Sequence, residues 1–255
     1  MKVGLAHQYL RRVKKELEEQ HDPYWENFDL NLKNTVVKPI DLSLAKKIVE
    51  EYEYLGCLAA INQYQYGIFF RNQLTGELNC GGVVVFGQEY AENQGVWDKY
   101  GYTNKIILLN RGVCLHWTPK NTNSKLIMEA IKMLPAKYKV ITCTIDPDAG
   151  EIGTIYQACN FYYVGAMRKN KSRVNVIING KKYGSRSIRQ KYGTMSKKTL
   201  PDIVKKELGN NVNIEFVTVY AKHRYFYFRG NKIEKKKNLQ AIKNIIKPYP
   251  KRNVV

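Results

Sequence analysis

What this chain of 255 residues lacks narrows the possibilities first. It holds no apolar run of the roughly 20 residues that a bilayer-crossing helix needs, and Met1 to Leu10 contain no stretch of signal-peptide length. A secreted or membrane-embedded protein is therefore not expected. The five cysteines (Cys57, Cys80, Cys114, Cys143, Cys159) form neither a CxxC pair nor a Cys/His zinc spacing. They read as small buried residues of a reduced, cytoplasmic protein. No internal repeat is visible.

Acids are scarce in one region. After Gly165 only Asp202, Glu207, Glu215 and Glu234 oppose 24 Lys and Arg, while residues 1–165 carry 18 of each sign. The whole net charge of +20 thus sits in the last third. An electrically balanced first part followed by a basic second part suggests chemistry in one and a grip on a polyanion in the other.

What is present reads as an ordinary globular chain. Leu5 to Glu19 carries one modest apolar stripe and predicts an amphipathic helix. Thr35 to Pro39 reads as a strand, and a helix capped by Asp41 or Ser43 runs through Tyr52. Gly67 to Arg71 and Glu77 to Phe86 read as paired strands, with Gly81-Gly82 implying a bulge or a close backbone approach. Gln88 to Thr103 is a polar loop with Trp97, long enough to be a lid. Ile106 to Leu115 reads as a buried strand, followed by a helix from Lys125 to Leu134.

The stretch around which the rest is organised is Lys139 to Gly165, KVITCTIDPDAGEIGTIYQACNFYYVG. Val140 to Ile145 is short, apolar and β-branched, as a buried strand is. Asp146 to Gly150 form a turn, a helix is expected over Glu151 to Cys159, and Phe161 to Val164 is the next strand. Polar groups gather at the carboxyl end of a strand, where open α/β sheets bind ligands. Asp146, Glu151 and Tyr156 are the first candidates, although on residue type alone the two acids serve equally as caps and the tyrosine as core.

The run YQACNFYYVG resembles the helix and strand that close the acyl pocket of GCN5-related N-acetyltransferases. Together with LNRGVCLHWTPKNTNSKLI at Leu109 to Ile127 and GGVVVFGQEY at Gly81 to Tyr90, it is more specifically similar to the phage Mom-like DNA modification proteins of that superfamily, over about residues 36–180. The resemblance implies an α/β (α+β) fold with a mixed central sheet flanked by helices. It divides the chain into an N-terminal helical arm (1–34), a catalytic core (35–165) and a basic α/β extension (166–255). It also implies a transferase that adds an acetamido- or glycinamide-like group to the exocyclic amine of adenine in double-stranded phage DNA, inside the bacterial host cell, against restriction nucleases. In that scheme Asp146 accepts the amine proton or orients the base, Tyr156 protonates the leaving group, and Glu151 and His116 stand beside them. Acyl-CoA-dependent relatives have a glycine-rich loop before the helix that follows this strand; here the segment is TPKNTNSK. Arg111, Thr118, Lys120, Asn121, Ser124 and Lys125 are the candidate donor-binding residues. The donor stays open between acyl-CoA and an aminoacyl-tRNA, because a charge of +20 suffices for two polyanions. His116 with Asp146, Tyr156 or Glu151 also offers an imidazole–oxygen set that suits non-haem iron.

In the basic third, Arg173 to Ile178 and Lys181 to Tyr183 flank Asn179-Gly180 and predict a hairpin. Pro201 to Leu208 predicts a helix, Val212 to Tyr220 a strand, and Leu239 to Ile246 a helix in the tail. Arg173, Lys181, Lys182, Arg186, Arg189, Lys191, Arg224 and Arg229 are the candidate phosphate contacts, with cations to neutralise phosphates and exposed aromatics to stack on bases; the aromatics Tyr225 to Phe228 themselves read more readily as a strand packed in a small sheet. Two other classes fit the sequence: an acyl-CoA-dependent N-acetyltransferase acting on a small molecule or protein, and a DNA-binding protein without catalysis.

Overall fold

The computed structural model describes residues 6–166, 173–219 and 221–252, apart from the side chains of residues 173, 186, 187 and 190. Contacts divide the chain into two compact units, Met1–Gly165 with His223–Val255, and Ala166–Lys222. The first unit breaks off after Gly165 and resumes at His223. The last segment, His223–Val255, thus belongs with the first unit.

The first unit is built on seven strands. These are β1 (Val36–Pro39), β2 (Tyr64–Arg71), β3 (Leu78–Gly87), β4 (Ile106–Cys114), β5 (Val140–Ile145), β6 (Tyr162–Ala166) and β10 (His223–Phe228), in the order β1-β2-β3-β4-β5-β10-β6. The mixed sheet flanked by helices that the resemblance implied is present. β1 to β4 are antiparallel neighbours, as short connections allow. β4 and β5 are parallel, joined through the crossover helix α3 (Thr122–Met133). β10 pairs antiparallel with β5 along its whole length. Tyr225 and Phe226 are fully buried, so the aromatic run is a core strand of the central sheet.

Helices α1 (His7–Glu19) and α2 (Leu42–Tyr52) precede β2 in the chain, and Ala45, Ile48 and Val49 of α2 are buried. The bulge expected at Gly81-Gly82 is present: Ile68 faces Gly82 and Phe69 faces Cys80, leaving Gly81 over. A Cβ on Gly82 would lie 2.6 Å from Cys114 Sγ and 2.8 Å from the Val113 carbonyl, so only glycine lets β3 and β4 approach this closely. The segment expected to be a lid is packed down instead. Trp97 and Tyr102 are buried, with Trp97 edge-on to Phe226 at 5.6 Å and Tyr102 against Phe226 and Phe228. No helix among the described residues is long and apolar enough to cross a membrane.

The second unit is a three-stranded antiparallel sheet, β8 (Lys181–Tyr183), β7 (Arg173–Ile178) and β9 (Ile214–Val219), with helices α5 (Ser185–Tyr192) and α6 (Leu200–Leu208). The hairpin turns at Asn179-Gly180 with φ of 47° and 78°, the two positive values that suit this dipeptide. Its own core comprises Val176, Ile178, Ile188, Tyr192, Leu200, Val204 and Val212. In α5, Ile188 and Tyr192 face inward one turn apart while Arg189 and Lys191 face out, a helix where the sequence suggested only interleaved cations and hydroxyls.

Candidate active site

The parallel pairing of β4 with β5 runs from Ile106–Val140 to Leu109–Cys143 and stops there. At the same level β4 bulges: Val85 faces Arg111 and Phe86 faces Leu109, leaving Asn110 unpaired. The bulge is tied to the loop after α2, since Asn110 Nδ2 donates to the Ile61 carbonyl (3.0 Å) and Arg111 Nε to the Cys57 carbonyl (2.8 Å).

Beyond this point charged groups collect from three elements. The β5–α4 turn supplies Asp146 and Glu151, where α4 is Thr154–Ala158. Asp146 caps the turn Pro147–Ala149 by accepting from the Asp148 N–H (3.1 Å), and its own N–H donates to Glu151 Oε2 (2.7 Å). The expected cap role is therefore real, though on this short turn rather than on α4. β4 supplies Arg111. The C-terminal end of α2 supplies two residues that the sequence reading passed over, Glu53 and Tyr54.

Glu53 is only 7% exposed, and its Oε2 accepts from the Leu55 N–H (3.0 Å). Burial pushes its carboxyl up to about 7; Arg111 pulls the other way and Glu151 adds to the rise. Tyr54 is raised by burial and then by the charges of Glu151, Asp146 and Glu53, against Arg111, so its hydroxyl keeps its proton. Three carboxylates, one guanidinium and one phenol thus feel one another at the end of β5. A signal for Glu53 exists in the sequence: an acid at the C-terminal end of a helix opposes the dipole, and a locally unfavourable choice marks a site.

Tyr156 lies at the inner end of this corner. Its ring is half-buried against Phe161 and Tyr225, while its hydroxyl is enclosed and hydrogen-bonds the Cys143 thiol. Burial drives its pKa well up.

The β4–α3 junction only partly matches the expected donor cradle. Thr118 is buried with its hydroxyl on the Leu115 carbonyl (2.7 Å), and Lys125 Nζ is drawn onto the carbonyls of Leu32 and Thr35. Both side chains hold the junction in place. Lys120 and Asn121 are exposed. Asn121 takes φ 70° at the N-cap of α3 without a side-chain cap, which leaves first-turn amides for an anion. Ser124 is half-buried and its carbonyl accepts from the Cys159 thiol at 3.8 Å.

His116 does not join the corner. It is buried edge-on to Trp25 (4.7 Å), with Nδ1 3.9 Å from Glu19 Oε2 and its carbonyl held by Arg12. Burial lowers its pKa, and Glu19 opposes this. Its charged neighbours are Glu19, Glu16, Arg12 and Lys15 of α1, so the expected pairing with Asp146 around iron is not formed. Among the described residues, no group of three or more His, Cys, Asp and Glu is arranged to hold a metal.

Two expected phosphate contacts are also corrected. Arg224 of β10 is ion-paired to the buried Glu89, donates to Thr142 Oγ1 (3.0 Å) and stacks on Trp97 (4.9 Å). Arg229 donates to the carbonyls of Leu134, Pro135 and Lys132, closing the C-terminal end of α3. Both hold unit one together. Lys181, Lys182, Arg189 and Lys191 are exposed on the second unit, whereas the side chains of Arg173 and Arg186 lie outside the described residues.

Several acetyltransferase structures are similar in arrangement. Spermidine N-acetyltransferase from Vibrio cholerae, in complex with CoA and spermine, matches at 7% identity and a TM-score of 0.38, over 81% of this chain and 99% of that one. NAA60 from Arabidopsis thaliana, in complex with a bisubstrate analogue, matches at 11% and 0.43, over 76% and 98%. An IAA acetyltransferase from Bacillus cereus matches at 12% and 0.38, over 77% and 100%. No curated protein matches the sequence significantly. The chain belongs to the Mom protein family, whose family model matches residues 34–251. Membership rests on that match and not on the structural likenesses.

Proposed function

We propose that this chain is an acyl-type transferase that places an acetamido- or glycinamide-like group on the exocyclic amine of adenine in double-stranded DNA, and so shields phage DNA from restriction nucleases. Family membership supports the reaction class. The observation that carries the reading is Glu53, with a pKa of about 7, beside Asp146, Glu151 and Arg111 where β4 and β5 part.

An aromatic amine is a weak nucleophile, so it needs a base poised near neutral pH and a target base taken out of the stack. Glu53 meets the first need, since near pH 7 it is present in both forms. The amine nitrogen bonds to the electrophilic carbon of the donor as the bond to the carrier breaks. Glu53 takes the amine proton, and Tyr156 supplies one to the leaving group after releasing Cys143. Asp146 orients the base edge and Arg111 balances the charge of three carboxylates. Lys120 and the uncapped first turn of α3 suit a phosphate-bearing carrier, either CoA or an acylated tRNA.

The test is label transfer with purified protein. Radiolabelled acetyl-CoA or aminoacyl-tRNA is supplied with and without duplex DNA. Label entering deoxyadenosine from one donor supports the reading; transfer to small amines or protein irrespective of DNA would replace it with an ordinary N-acetyltransferase.

A further inference from the structure

The positive charge of the last third is divided between two bodies. Ala166–Lys222 holds fourteen Lys and Arg against Asp202, Glu207 and Glu215, a net of +11 in 57 residues. It is inserted between β6 and β10, which are neighbours in the central sheet. Two of its acids are already engaged: Glu207 pairs with Lys191 (2.8 Å) and Glu215 accepts from Asn213 (3.0 Å).

On this unit a groove of about 370 Å³ is lined by Val174, Ser185, Arg189, Met195 and Lys197. Arg189 and Lys197 are both exposed. A hydroxyl and two cations over an apolar floor of Val174 and Met195 suit a phosphodiester whose sugar lies against the floor. Single-stranded nucleic acid is held through exposed aromatics on which bases stack. Here Tyr192 is in the unit's core, and Tyr183 and Phe216 pack against it. Among the described residues no aromatic of the unit is fully exposed, and backbone contact without stacking fits duplex DNA.

We infer that the inserted unit is the DNA-holding part of the protein, gripping the duplex backbone through Arg189, Lys197 and Ser185; the comparison surface for the test is the Lys-rich helix α7 (Lys232–Ile242) of the first unit. The inference rests on DNA being the acceptor and adds where it is held. Neutralising a phosphate contact lowers the slope of log K against log salt concentration by about 0.9.

The test uses the full chain and a fluorescent duplex, titrated across salt concentrations. R189Q and K197Q each lower the slope by about one and together by about two, and K236Q/K237Q on α7 leaves it unchanged. Both sites are exposed, so the melting temperature checks that folding is intact, and the single variants serve if the double one is perturbed. An unchanged slope in R189Q and K197Q, an equal loss in K236Q/K237Q, or a single strand of the same sequence outcompeting the duplex in the wild-type chain overturns it. The transferase reading fails separately: if label never reaches deoxyadenosine but the slopes behave as stated, the groove stands as a DNA grip and the chemistry falls.

Discussion

Two cation-bearing segments of the basic last third have different fates. In His223–Phe228 the arginine is built into a sheet, with Arg224 between Glu89, Thr142 and Trp97; in Ser185–Tyr192 Arg189 stands exposed on the outer face of a helix. The difference teaches that cation density marks a ligand surface only where no carboxylate or carbonyl inside the fold has claimed the charge. Within the first unit the comparison extends to acids, because Glu89 is buried with a partner while Glu53 is buried with its charge disfavoured.

The largest effect expected from that comparison is on activity. E53Q removes the base while keeping an acceptor for the Leu55 N–H, and transfer to DNA falls about 10²–10⁴-fold, read as product formed per unit time. R224Q leaves Glu89 uncompensated and destabilises the fold by about 3–5 kcal/mol in denaturant titration, with no specific loss of DNA affinity per folded molecule.

A third effect depends on pH. Glu53 is protonated in both folded and unfolded chains below its ordinary value of 4.5. As pH rises from there through about 7, the unfolded chain ionises first, so the stability associated with the protonated group is lost. E53Q escapes that loss, and its advantage over wild type grows through this window to roughly 3 kcal/mol above pH 7, measured by urea denaturation at pH 4.5, 6 and 8. The smallest effect is R189Q on stability, within about 0.5 kcal/mol, because it leaves an exposed helix face.

The same contrast explains what could be read in the sequence. Strand β5 with its acidic turn, the Asn-Gly hairpin and the bulge at Gly81 are written in neighbouring residues, and each is present at its expected place. That HRYFYF is a packed aromatic strand was legible, but its place in the central sheet was not, since its partner strand lies some 80 residues earlier. Arg229 reaches carbonyls more than 90 residues away for the same reason. In the candidate site, Asp146, Glu151 and Arg111 all act electrostatically on Tyr54. Glu53 was missed because its significance comes from burial, and His116 was misplaced because α1 folds over it.

The most direct test is mass spectrometry of nucleosides from DNA of cells expressing the wild-type chain or E53Q. The account predicts a deoxyadenosine of raised mass with the wild type and its near absence with E53Q. An unmodified profile with the wild type, or equal modification by both chains, would contradict it.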